Sequence, residues 1–174
     1  LRSWNELLEY IAKDLSRRFQ LADELSFTPI EASDSFAKVL RAIERDRGVR
    51  RIVLMFDEVE WISPGTAREE HWDSEFSDFW HAIRTLQTLD TFVAVIIAGV
   101  HPSMVESHRF GRCQNPLFGI VSTTYLSGLE AEESAEMIRS IGKVMGMQFT
   151  PEALQYLHEL YAGHPLLTRL ACSY

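Results

Sequence analysis

The chain is 174 residues long and 46% hydrophobic, enough for one packed domain or a domain with a small appendage, and too little for two large ones. Its 25 acidic residues outweigh 17 basic ones, and the resulting formal charge of −8 disfavours a self-sufficient nucleic-acid binder or a partner of anionic lipid. The longest apolar run, Phe92 to Val100, is far shorter than the roughly 20 residues of a membrane-spanning helix. Cys113 and Cys172 match neither a zinc spacing nor a disulfide framework, and no signal peptide is evident, so a cytoplasmic location is expected.

In chain order, Trp4, Leu7, Leu8, Ile11, Leu15 and Phe19 recur at three- and four-residue steps, which predicts an amphipathic helix capped by Ser3. Leu25 to Ile30 suits a short extended piece, but Pro29 restricts it to an edge strand or an irregular connection. Phe36, Val39, Leu40 and Ile43 mark a second helix, starting near Asp34 and Ser35 and ended by Gly48. The next stretch organises the chain: Ile52-Val53-Leu54-Met55-Phe56 is apolar without alternation and runs into Asp57-Glu58. Such a run predicts a strand buried on both faces in a parallel sheet. The two carboxylates then stand at its carboxyl end, where ligands of open parallel sheets bind.

Ser63-Pro64-Gly65 reads as a loop, and Phe76, Phe79, Trp80, Ile83 and Leu86 as a third helix with an aromatic buried side. Phe92 to Ala98 is a second run of the buried-strand type, so strand, helix and strand form a parallel unit. It ends in Gly99-Val100-His101-Pro102-Ser103. Asn115 to Gly119 is expected to turn, and Ile120 to Leu126 to form a third, more polar strand nearer the sheet edge. From Ser127 the periodicity is helical. One helix follows the acidic Glu130-Ala131-Glu132-Glu133, a second opens with Thr150 as cap and Pro151 in its first turn, and Gly163-His164-Pro165 separates a third. The expected organisation is an α/β body over 1–126 and a helical subdomain over 127–174.

This order of parts resembles the later portion of a P-loop ATPase of the AAA+ and STAND type, most of all the bacterial and archaeal STAND-like ATPase domains, over nearly the whole chain. Met55-Phe56-Asp57-Glu58 is similar to a Walker B motif. The resemblance implies that Asp57 holds Mg²⁺, through water, and that Glu58 is the catalytic residue polarising the attacking water. His101 and Ser103 occupy the place of the sensor 1 residue, although neither is the commoner Asn. His164 and Pro165 resemble part of the Gly-x-Pro of STAND lids, which packs against the adenine side of the nucleotide. Arg169 matches the position of a sensor 2, and Arg109 and Arg112 are candidates for arginine fingers towards a neighbour. ATP and ADP, other domains of the same polypeptide and a second copy of the chain are the implied partners.

One part of the family pattern is missing. No Gly-x-x-x-x-Gly-Lys-[Ser/Thr] loop occurs, and Gly142-Lys143 is followed by Val144 inside a helical segment. The resemblance implies a partial P-loop sheet, with the phosphate loop and its strand supplied by residues preceding this chain, and little ATP affinity without them. Simpler readings stand beside it. An Asp at a strand end can cap the next helix, and Gly163 and Pro165 can be no more than helix punctuation. Glu69, Glu70, His71 and Asp73 suit a solvated helix start, and Met137, Met145 and Met147 suit core filling. Two other functions are compatible with the residues: a degenerate ATPase fold serving as a protein-interaction module, and a metal-dependent phosphohydrolase using Asp57 and Glu58.

Overall fold

The computed structural model describes residues 3–21, 25–89, 92–110 and 113–173. The chain divides into two compact units, Leu1–Thr123 and Thr124–Tyr174. The first is a mixed α/β structure with a small parallel sheet. Helix α1 (Trp4–Phe19) is capped by Ser3, whose Oγ accepts the Glu6 N–H at 3.4 Å. Helix α2 (Ala32–Arg47) starts two residues before the expected Asp34 and ends at Gly48 in the left-handed conformation. Its last residue, Arg47, donates from Nε to the Phe19 carbonyl at 2.9 Å and so ties the ends of the two helices together.

Strands β1 (Ile52–Phe56) and β2 (Val93–Ile97) pair in parallel, with Ile52 opposite Val93 and Phe56 opposite Ile97. Helix α3 (Trp72–Leu89) connects them. Together α1, α2 and α3 bury one face of the sheet. Leu54 and Val93 lie in that core with Phe36, Trp72, Phe76, Phe79 and Trp80. The aromatic rings meet edge to face, as in Phe56 with Trp80 at 5.3 Å and Phe79 with Trp80 at 5.0 Å between centroids.

Two expectations are corrected here. The apolar runs predicted a sheet covered on both faces, but Val53, Met55 and Ile96 are 50%, 74% and 51% exposed. The reason is geometric: the residues of a strand alternate between faces, and the helices packed on this pair lie on one side. Nor is Ile120 to Leu126 a strand. The chain turns at Leu117, whose carbonyl accepts the N–H of Ile120 at 3.2 Å and of Val121 at 3.4 Å, so those groups are committed to a turn rather than a ladder. Between β2 and this turn lie the short helix α4 (Ser103–Glu106) and an antiparallel pair, β3 (Arg109–Phe110) with β4 (Cys113–Gln114). The sequence pattern did not anticipate that pair.

The second unit consists of α5 (Ala131–Val144), α6 (Pro151–Tyr161) and α7 (Pro165–Ala171). Its buried cluster is small, Ala135, Ile138 and Leu154, with Phe149 and Leu157 packed against it. Backbone contacts supply what bulk does not. Leu129 donates its N–H to the Gly163 carbonyl at 2.9 Å, and Gly163 has φ 68°. A Cβ on Gly163 would run into the Leu129 backbone, and one on Gly128 into the Ala162 carbonyl, so the two segments approach this closely because both positions lack a side chain. Met145 and Met147, expected in the core, are exposed. Among the described residues no helix is long and apolar enough to cross a membrane.

Candidate functional site

The site is built at the carboxyl ends of β1 and β2. Because the strands are parallel and in register, the residues that follow Phe56 and Ile97 emerge side by side. The Ala98 N–H donates to the Phe56 carbonyl at 2.8 Å, and a longer contact, the Val59 N–H to the Ala98 carbonyl at 3.4 Å, closes the backbone pairing. Asp57 and Glu58 stand just past the strand tip, and both are exposed. Neither therefore carries a burial cost that a counter-charge has to offset, contrary to what a strand covered on both faces would imply.

Asp57 Oδ1 accepts the Glu58 N–H at 2.9 Å, and Oδ2 has no hydrogen-bond partner among the described residues. Glu58 adopts φ 51°, ψ 46°, a left-handed conformation that costs a side-chain-bearing residue roughly 1–2 kcal/mol. The chain accepts it because Val59 and Ile62, the buried residues of the 3₁₀ turn Val59–Ile62, must be brought straight back onto the core. The turn also orients the Glu58 side chain: Trp61 Nε1 donates to Glu58 Oε2 at 3.0 Å. Arg68 lies over the Trp61 ring at 4.5 Å from its centroid.

From the other strand tip, His101 and Ser103 are both exposed, Ser103 as the first residue of α4. The segment is held by Glu60, whose Oε1 accepts the backbone N–H groups of Val100 and of His101, the latter at 3.0 Å. Burial pushes the Glu60 carboxyl up. Backbone N–H groups of Glu60 itself, His101 and Val100, with the His101 charge, outweigh that and hold it below the ordinary carboxylate range. Beyond α4 the loop is organised by buried Asn115. Its Nδ2 donates to the carbonyls of Met104 and Ser107, both at 2.8 Å, and its Oδ1 accepts the Leu117 N–H at 3.0 Å.

Asp57 and Glu58 thus follow the tip of β1, His101 lies in the segment leaving the tip of β2, and Ser103 opens α4 beyond it. Arg109 is an exposed residue of the β3–β4 pair. Arg112 lies outside the described residues. His164, Pro165 and Arg169 belong to the second unit. There His164 caps α7, with Nδ1 accepting the Leu167 N–H at 3.5 Å, Pro165 takes the first helical position, and Arg169 is exposed in the last turn. Glu60, Trp61 and Gly99 were not singled out from sequence. Gly99 carried a usable signal, since a glycine at the end of an apolar strand often marks a close backbone approach.

Among the described residues no group of three or more His, Cys, Asp and Glu side chains is placed to hold a metal ion by itself. A magnesium ion that takes most of its ligands from phosphates and water needs only one or two carboxylates, and the exposed Asp57, with Oδ2 unengaged, fits that demand. Along the outer edge of β2, which among the described residues pairs with no strand but β1, runs a cavity of 290 Å³ lined by Val95, Ile97, Trp80 and Leu117. No family model, curated protein or solved structure matches this chain.

Proposed function

We propose that this chain is part of an ATP-binding and hydrolysing switch domain of the AAA+/STAND kind, within a larger multidomain protein. The observation that supports this best is the delivery of two adjacent carboxylates with separate surroundings to the tip of a parallel strand, next to a second tip carrying His101 and Ser103. In this reading Asp57 holds Mg²⁺ through water, which neutralises charge on the nucleotide phosphates. Glu58 draws the proton from an attacking water. His101 and Ser103 contact the terminal phosphate. Arg109 and Arg112 serve as fingers towards a neighbour. The phosphate-binding loop must come from sequence outside these 174 residues. The edge of β2, which among the described residues pairs with no second strand, and the cavity beside it offer its strand a place to pair.

The test is Mg²⁺-dependent binding of mant-ATP, and ATP turnover, by the full-length protein. Glu58→Gln is expected to leave binding within about threefold and to lower turnover at least ~100-fold, the usual scale for loss of a general base. Absence of Mg²⁺-dependent binding, or turnover indifferent to Glu58→Gln, defeats the reading.

One observation favours the non-catalytic alternative, an ATPase-like fold used as an interaction module: the exposed apolar sheet face of Val53, Met55 and Ile96. It predicts that Met55→Lys abolishes assembly with a partner while Asp57→Ala changes it no more than any other surface substitution.

A further inference from the structure

The turn after Asp57-Glu58 makes an attachment that nucleotide chemistry does not by itself require. We propose that Glu60 is a positioning residue, a clasp seated on Gly99 that fixes the segment carrying His101 beside the Asp57-Glu58 tip. The geometry of the clasp is independent of the ATPase reading; its catalytic consequence rests on it.

Backbone pairing between the two tips gives out at the long Val59 to Ala98 contact of 3.4 Å. Glu60 takes over where the ladder ends, one carboxylate oxygen accepting from two successive backbone N–H groups beyond Gly99, those of Val100 and His101. Hydrogen bonds to an ionised acceptor are the strong ones, and two on one oxygen fix both distance and direction. Glu60 is itself held on either side. Val59 and Ile62 anchor its turn in the core, and Thr66 Oγ1 donates to the Glu60 carbonyl at 3.0 Å. The seat is specific, because a Cβ on Gly99 would lie 2.6 Å from Glu60 Oε1 and 3.0 Å from Val59 Cγ2. Any other residue at 99 displaces the carboxylate. His101 is exposed, and its backbone N–H is bonded to Glu60, so its place relative to Glu58 is set through Glu60.

The experiment uses the full-length protein with Glu60→Ala, Glu60→Gln, Gly99→Ala and the Glu60→Ala/Gly99→Ala double variant. Amide exchange at Val100 and His101 is followed without nucleotide, and kcat and KM for MgATP are measured in parallel. Glu60→Ala is expected to speed exchange at both amides about tenfold or more, the scale of one lost charge-assisted bond, and to lower kcat about tenfold with KM within twofold. Glutamine, whose amide oxygen can accept from the same groups, is expected to restore most of the protection and of kcat. Gly99→Ala should reproduce Glu60→Ala and add little to it in the double variant. Exchange unchanged in Glu60→Ala overturns the clasp. Exchange accelerated with kcat unchanged overturns its positioning role while leaving the ATPase reading intact. A wild type that protects both amides but shows no Mg²⁺-dependent hydrolysis overturns the ATPase reading, and the catalytic consequence with it.

Discussion

The two units are held together by different means. In the first, Phe36, Trp72, Phe76, Phe79 and Trp80 are at most 2% exposed and interlock beneath the sheet. In the second, the buried cluster reduces to Ala135, Ile138 and Leu154, while Val144, Leu160 and Leu166 are exposed. A buried aromatic side chain contributes roughly 1.5–3 kcal/mol through removal of its surface from water, whereas a helix cap contributes about 1 kcal/mol. The first unit therefore depends on volume, and the second on where its helices begin and how closely its backbone segments approach. Substitutions of the same apparent size should have different costs in the two.

The largest effect is expected from emptying the aromatic core. Phe79 is fully buried, with its ring 5.7 Å from Phe56 and 6.3 Å from Trp72. Phe79→Ala should cost about 3–5 kcal/mol, read as faster amide exchange throughout α3 and β1 and a lower denaturation midpoint. A cost under about 1 kcal/mol would mean that this core is not what stabilises the first unit. In the second unit the corresponding weak point is a glycine. Gly163→Ala requires a positive φ of an alanine and drives its Cβ into the Leu129 backbone, so more than about 2 kcal/mol is expected, seen as lost protection at the Leu129 amide. If it is tolerated, the approach of 128–129 to 162–163 is not a determinant of this unit. Thr150→Ala is milder. Thr150 Oγ1 accepts the Ala153 N–H at 3.3 Å, and its loss should cost about 1 kcal/mol, confined to the first turn of α6.

The same contrast explains what the sequence disclosed. Helix starts and stops were legible at Ser3, Gly48, Thr150 and Pro151 because caps act within three or four residues. The carboxylate pair at the β1 tip was legible because an apolar run ending in Asp-Glu is a local pattern. Ile120 to Leu126 misled because β-branched residues state a preference that only a ladder partner can realise, and the Leu117 turn captured its first amides instead. Burial on both faces was inferred from apolar residues on both faces, but the helices that cover this pair pack on one side. Glu60 was invisible for a plainer reason: its partners lie 40 and 41 residues away, and no local rule connects a turn glutamate to a loop amide.

The smallest expected effect lies at the rim of the first unit, which relies on hydrogen bonds to loop backbone as the second unit does. The Glu60 carboxyl in the folded chain sits below its ordinary value of 4.5, because donated N–H groups favour the charged form despite partial burial. A carboxyl lowered by folding adds stability at pH values above its unfolded value, and that contribution disappears as pH falls through the folded value. Protection of the Val100 and His101 amides should therefore stay level from neutral pH down to about 5 and decline on the acid side of 4.5. Glu60→Gln should remove that decline without removing the protection, since an amide oxygen accepts at any pH. Because Glu60 is only partly buried and its partners are exposed, the loss should stay local, leaving exchange in α3 untouched at pH values where the 99–101 segment has already loosened. A decline that appears in α3 at the same pH would place the carboxylate in the stability of the core, and the distinction between a unit held by volume and a rim held by hydrogen bonds would fail there.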